Sequence, residues 1–132
     1  MPVVQWQDGL RVGNDIIDAD HQVTVDQLNT LVDADASEFP RLYAEFFHHL
    51  KEHFEREEGL MQDSGFPAYL IHRNEHRRVL AEFERFQARI SGGNLAMARA
   101  YVAEIVPNWF ATHLATMDAA TAAYIRQAGA AA

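Results

Sequence analysis

Residues 38–64 read EFPRLYAEFFHHLKEHFEREEGLMQDS. Phe39, Tyr43, Phe46, Leu50, His53, Glu57 and Leu60 recur in it at alternating steps of four and three. At about 100° per residue, all seven fall within about 100° of arc on a helix. The stretch is therefore predicted to be a helix with one buried face. A histidine and a glutamate lie in the middle of that face. Gly65-Phe66-Pro67 ends this helix and opens the next.

The same periodicity appears three more times. A helix over about 67–90 lines up Tyr69, His72, His76, Val79, Phe83, Phe86 and Ile90. Ser91-Gly-Gly-Asn94 is a loop, with Asn94 as cap. A helix over about 94–127 then lines up Leu95, Val102, Val106, Trp109, His113 and Met117. Pro107 should kink or divide it. Upstream, a helix over about 18–36, capped by Asp18 or Asp20, aligns Ile17, His21, Val25, Leu28 and Val32. Residues 1–17 read as an irregular arm, pinned by Trp6 and Leu10 and turning at Gly13-Asn14. The tail from Ala128 to Ala132 is expected to fray. Four amphipathic helices with short connections predict an all-α fold, an antiparallel up-down-up-down four-helix bundle. One domain over 1–132 is expected.

Composition narrows the class. Apolar residues make up 48% of 132, enough for a packed core. The formal net charge of −8 argues against nucleic acid and against anionic membrane surfaces. Cysteine is absent, which fits a reducing cytoplasm. The opening Met1–Trp6 has no signal-peptide character, and no apolar run approaches the roughly 18 residues of a membrane helix. A cytoplasmic monomer is the expectation.

The chemistry lies on the inner stripes. His21, His53, Glu57, His72, His76, His113 and Asp118 come from all four helices. One histidine on an apolar face is more often a satisfied core residue than a ligand. Two at i, i+4 are a stronger signal, because they are neighbours on one face. Burying imidazoles beside an ionised carboxylate is costly without partners. A metal satisfies them all, and an imidazole–carboxylate set suits a first-row transition ion. His48 falls opposite the stripe. His49 lies on its flank and competes poorly with Glu57 as partner of His53. Glu58 reads as a surface charge and Glu75 as outward-facing. No HExxH or CxxCH pattern is present, and Glu45 to His48 is the lone Glu-x-x-His.

The ordered set of His21, His53-x-x-x-Glu57, His72-x-x-x-His76 and His113-x-x-x-x-Asp118 resembles the hemerythrin family, in its prokaryotic bacteriohemerythrin branch. Trp6, Gly13, Ile17-Asp18, Leu28-Asn29, Phe54, Glu58, Leu60-Met61, Phe66-Pro67 and Trp109 extend the resemblance over nearly the whole chain. The resemblance implies a di-iron centre. His72, His76 and His113 would hold one iron, and His21 and His53 the other. Glu57, Asp118 and a solvent-derived oxo or hydroxo group would bridge them. The second iron is then one ligand short, and in this family dioxygen binds there. Thr24, Phe54, Trp109, Phe110 and Leu114 would wall the ligand pocket, with Leu114 closing access. Thr24 stands where an aliphatic residue is expected, and bonds a backbone carbonyl or admits a water. The implied function is reversible dioxygen binding for carriage, storage or delivery to an oxygen-consuming enzyme, without catalysis. The alternatives are a di-iron peroxidase, oxidase or nitric oxide reductase, or an oxygen sensor. A chain with no attached output module favours carriage over sensing.

The last expectation concerns backbone shape. His113 and Asp118 are five residues apart, about 140° on a regular helix. Two side chains splaying from a regular helix can still reach one site, but a π-type turn between them would bring both there more economically. Thr121, Ala122 and Ile125 would then face the core, in place of Ala120 and Tyr124.

Overall fold

The computed structural model describes residues 2–131, with side chains through 129. No strand occurs among the described residues. A 3-10 turn at Asp8–Leu10 lies in the arm. Helix α1 spans Asp15–Asp33, α2 Phe39–Ser64 and α3 Tyr69–Ser91. The fourth bundle helix is segmented: α4 Ala96–Ala100, a π turn Tyr101–Ile105, α5 Val106–His113, a second π turn Leu114–Asp118, and α6 Ala119–Ala131. It packs on α3 through α4, on α1 through the first π turn and on α2 through α6, while α1 packs on α2 and α2 on α3. This is the four-helix bundle that the stripes predict.

Helix α1 starts earlier than expected. Its N-cap is Asn14, whose side chain accepts from the backbone N–H of Ile16 and of Ile17, both at 3.1 Å. Neither Asp18 nor Asp20 caps it. The Asp18 carboxylate instead accepts from Val12 N at 2.7 Å and Gly13 N at 3.2 Å, which folds the arm back onto the helix. Gly13 takes a φ of 87° to make that reversal, a value unfavourable for any residue with a Cβ. Farther along, Asn29 clamps the arm by accepting from Val3 N and donating to Val4 O at 2.7 Å.

Helix α2 begins with Pro40 in its first turn, where a missing N–H costs nothing. It ends at Gly65, φ 70°, with Phe66 N donating to Met61 O and Gly65 N to Gln62 O. These paired bonds satisfy the last carbonyls of the helix. Met61, not Leu60, completes its buried stripe, and Leu60 is half-buried. Helix α3 starts at Tyr69, two residues beyond Pro67.

The segmentation of the fourth helix has a local cause at its first π turn. Pro107 has no N–H to give, and Val106 N reaches back to Tyr101 O, five residues away. The proline therefore sits behind a widened turn rather than at a break. The tail does not fray at Ala128, since α6 continues to Ala131; Ala132 lies outside the described residues.

The core has two parts. The larger one holds Leu28, Phe39, Tyr43, Phe46, Phe83 and Val102. Phe83 is its centre, with ring centroids of Tyr43, Phe46, Phe47 and Tyr101 between 5.2 and 5.7 Å away. The smaller part is Val25, Phe110 and Leu114, covered by Trp6, Leu10 and Val12 of the arm. Trp6 and Leu10 thus pin the arm as predicted.

Candidate metal centre

The stripes bring six polar side chains together inside the bundle, and the second π turn adds Asp118. His21, His53, Glu57, His72, His76, His113 and Asp118 are each 5% exposed or less. Two overlapping groups form. One is His72, His76 and His113 with both carboxylates; the other is His21 and His53 with the same two. In each group the candidate ligand atoms lie within 4.8 Å of one another.

The two carboxylates divide their oxygens between the groups. Glu57 Oε1 lies 3.0 Å from His72 Nε2 and 3.1 Å from His76 Nε2, while its Oε2 faces His53 Nε2 at 4.0 Å. Asp118 Oδ1 lies 3.1 Å from the Nε2 atoms of His72 and His113, and its Oδ2 is 2.9 Å from His21 Nε2.

These short contacts are not all hydrogen bonds. Both Glu57 oxygens, His76 Nε2 and both His21 nitrogens lack a hydrogen-bond partner despite complete burial. The atoms are close, but their donor and lone-pair directions do not meet one another. Ligands at about 2.1 Å from one ion, at right angles, stand roughly 3 Å apart, which is the spacing seen here. Buried polar atoms without partners are costly, so the donor set fits a pair of bridged cations.

Charge supports the same reading. Burial pushes Glu57 and Asp118 toward the neutral acid, as does Asp118 acting on Glu57. The surrounding histidines outweigh this and hold both carboxyls below their ordinary range, Asp118 well below. Burial pushes His72 down, but Asp118 and Glu57 raise it to about 9. His76 is likewise raised, by Glu57 and Glu58, against its burial.

The backbone makes this convergence possible at Asp118. Ala119 N donates to Leu114 O, five residues back, so one extra residue is held in that turn. Asp118 is buried and Met117 only half-buried. Thr121 and Ala122 are fully buried and Ala120 is exposed, in the register the π turn predicts. Ile125 and Tyr124 are both half-buried, so only the first two of the three expected core residues are enclosed.

An outer shell fixes the rings. Asp20 Oδ2 meets His53 Nδ1 at 3.0 Å and is itself gripped by Arg56 through two bonds of 2.8 Å. Thr121 Oγ1 lies 2.8 Å from His72 Nδ1, and Glu58 Oε2 is 3.0 Å from His76 Nδ1. With Nδ1–H donating outward, each Nε2 lone pair is left for the centre. Glu58 is therefore not the surface charge read from its position. Sequence spacing could not reveal these partners, because they join different helices. Thr121 alone had a signal, from the register beyond the π turn. Glu75 accepts from Trp109 Nε1 at 2.9 Å and stays away from the centre. Phe54 stacks on His76 at 3.9 Å and Trp109 on His113 at 4.5 Å.

A small space of about 10 Å³ borders the two-histidine group, against His21, His53, His113 and Asp118. Thr24, Leu50, Phe54, Trp109 and Phe110 complete its lining. Four of these were expected, and Leu50 was not. Leu114 does not line the space. It is buried one layer out, against Phe110 and Val25. His48 is exposed, as read. His49 is buried, bonded to Thr24 and Asp20 rather than to the centre, and burial lowers its basicity.

Comparison with known proteins agrees with this geometry. The family described as Hemerythrin HHE cation binding domain matches residues 12–125. A bacteriohemerythrin of Ralstonia nicotianae is 36% identical over 129 residues, covering 98% of this chain and 93% of its own. One of Aquifex aeolicus is 30% identical, covering 85% of this chain and 89% of its own. A hemerythrin of Sipunculus nudus is 33% identical over 66 residues, covering 50% of this chain and 49% of its own. With a bundle of four helices around a buried histidine–carboxylate cluster, the chain belongs to the hemerythrin family.

Proposed function

We propose that this chain holds two non-haem iron ions and binds dioxygen reversibly, for carriage, storage or delivery to an oxygen-consuming enzyme. His72, His76 and His113 would hold one ion, and His21 and His53 the other. Glu57 and Asp118 would bridge them, together with a solvent-derived oxo or hydroxo group. The observation that carries the reading is the division of each carboxylate between a three-histidine and a two-histidine group. The two-histidine side has one protein donor fewer, and the small space lies beside that side. When bound, the ion pair supplies the two electrons that dioxygen needs to bind.

The chain's own residues do the rest. Asp20, Glu58 and Thr121 hold His53, His76 and His72 in the tautomer that turns Nε2 inward. Leu50, Phe54, Trp109 and Phe110 give the space an apolar wall that disfavours water. Apart from the ligand residues, no side chain lining it is a carboxylic acid, amine or phenol. That favours a binding protein over a peroxidase, oxidase or nitric oxide reductase. The expected setting is a monomer in the cytoplasm; among the described residues, no helix is long and apolar enough to cross a membrane.

The test is optical. The iron-loaded protein is reduced anaerobically, given oxygen, then degassed. A charge-transfer band that appears and vanishes over repeated cycles supports carriage. One-way conversion to a diferric spectrum with release of peroxide counts against it.

A further inference from the structure

His49 is buried, belongs to neither ligand group, and turns a ring nitrogen to Thr24. Its Nε2 lies 2.8 Å from Thr24 Oγ1 and 3.2 Å from Asp20 O. A carbonyl oxygen only accepts, so Nε2 carries the hydrogen and donates toward both. Thr24 in turn donates its hydroxyl hydrogen to Asp20 O at 2.8 Å. The hydroxyl hydrogen is thereby committed to the backbone, and His49 occupies one of the two oxygen lone pairs. One lone pair of Oγ1 is left over.

Thr24 also lines the small space beside His21 and His53. The other non-ligand walls are Leu50, Phe54, Trp109 and Phe110, and the Trp109 N–H is taken by Glu75. Thr24 is therefore the one wall residue outside the ligand set with free hydrogen-bonding capacity, and that capacity is for accepting. A threonine on a helix divides between two rotamers. His49 and Asp20 together hold the one that keeps the oxygen in this place. A space of about 10 Å³ is close to the least that encloses one water-sized ligand.

Resting on the metal reading above, we propose that Thr24, positioned by His49, tunes this space for a small ligand with a proton to donate, such as water or hydrogen peroxide. Aprotic ligands of similar size gain nothing from it.

The test uses the iron-loaded full chain in its diferric form, with azide as an aprotic probe. Azide competes for the space with protic ligands from solvent. Thr24→Val keeps the shape and removes the acceptor, so azide binding should tighten about fivefold, the worth of one hydrogen bond. His49→Phe should shift the affinity the same way by less. His49→Gln, which restores an N–H near the Nε2 position, should return it toward wild type. A crystal structure of the loaded wild type should show a ligand oxygen within hydrogen-bonding distance of Thr24 Oγ1. Azide affinity unchanged in Thr24→Val, with two ions still bound, overturns this inference alone. Failure of the wild type to take up two ions overturns the metal reading and this inference with it.

Discussion

His113 and Asp118, five residues apart on one helix, meet with Nε2 and Oδ1 at 3.1 Å. They do so because the turn between them is a π turn. A regular helix would separate them by about 140°. The extra residue also sets the register downstream, where Thr121 reaches His72.

Removing that extra residue should be tolerated. Deleting the exposed Ala115 leaves histidine and aspartate at i, i+4 on a regular turn, the spacing that already serves His53 and Glu57. Metal content should stay near two ions per chain, with downstream register intact. Inserting an alanine after Thr116 should instead swing Asp118 by about 100° and leave one ion or fewer. Elemental analysis of both variants decides this; equal metal content in the two would refute the geometric account.

Single ligands should matter unequally. His53→Ala removes one of two histidines on the open side, so the variant should retain closer to one ion than two. Equal loss of both ions would count against the assignment of histidines to ions.

The outer shell should be nearly as important. Asp20→Asn weakens the acceptor that holds His53, and Glu58→Gln the one that holds His76. Each is expected to lower cation affinity about 10–100-fold, measured by competition with a chelator. Affinities within a factor of two of wild type would show that these contacts only pack.

Protons compete with the cations. In the metal-free chain, His72 is raised from its ordinary 6.5 to about 9 by Asp118 and Glu57, against the opposing effect of burial. The folded chain thus binds this proton more tightly than the unfolded chain does. Its contribution to stability is complete below about pH 6.5 and is lost as pH rises through 9. The melting temperature of the metal-free chain should therefore fall between pH 6.5 and 9. Cation uptake at pH 7 should release protons, seen as a buffer-dependent heat in calorimetry. A melting temperature that rises over that window would contradict the charge distribution described here.

The far end of the bundle should be separable from the site. Phe83 lies two turns along α3 from His76 and is fully buried. Phe83→Ala should cost about 3–5 kcal/mol of stability while the folded variant still binds two ions. Denaturant titration and metal analysis together check both halves.

The legible parts of the sequence are those carried by periodicity within one helix. The stripe from Phe39 to Glu57 and the pairs His72/His76 and His53/Glu57 can be read this way. The π turn is legible as the more economical of two ways to bring groups five residues apart to one site, the other being a regular helix from which the two side chains splay. The turn at Tyr101–Ile105 is not legible, since Pro107 alone signals a disturbance without its form. The cap at Asn14 is masked because Asp18 offers the same chemistry four residues later. The roles of Asp20, Arg56 and Glu58 are hidden for a different reason. Their partners lie on other helices, and no spacing along one chain segment encodes contacts across a bundle.

The central claim is an asymmetric pair of cations sharing Glu57 and Asp118. A crystal structure of the iron-loaded chain, with anomalous scattering at the iron edge, tests it directly. Two iron peaks are expected, one within coordinating reach of His72, His76 and His113 and the other of His21 and His53, with both carboxylates spanning the pair. A single peak, or two peaks that do not share Glu57 and Asp118, would contradict it.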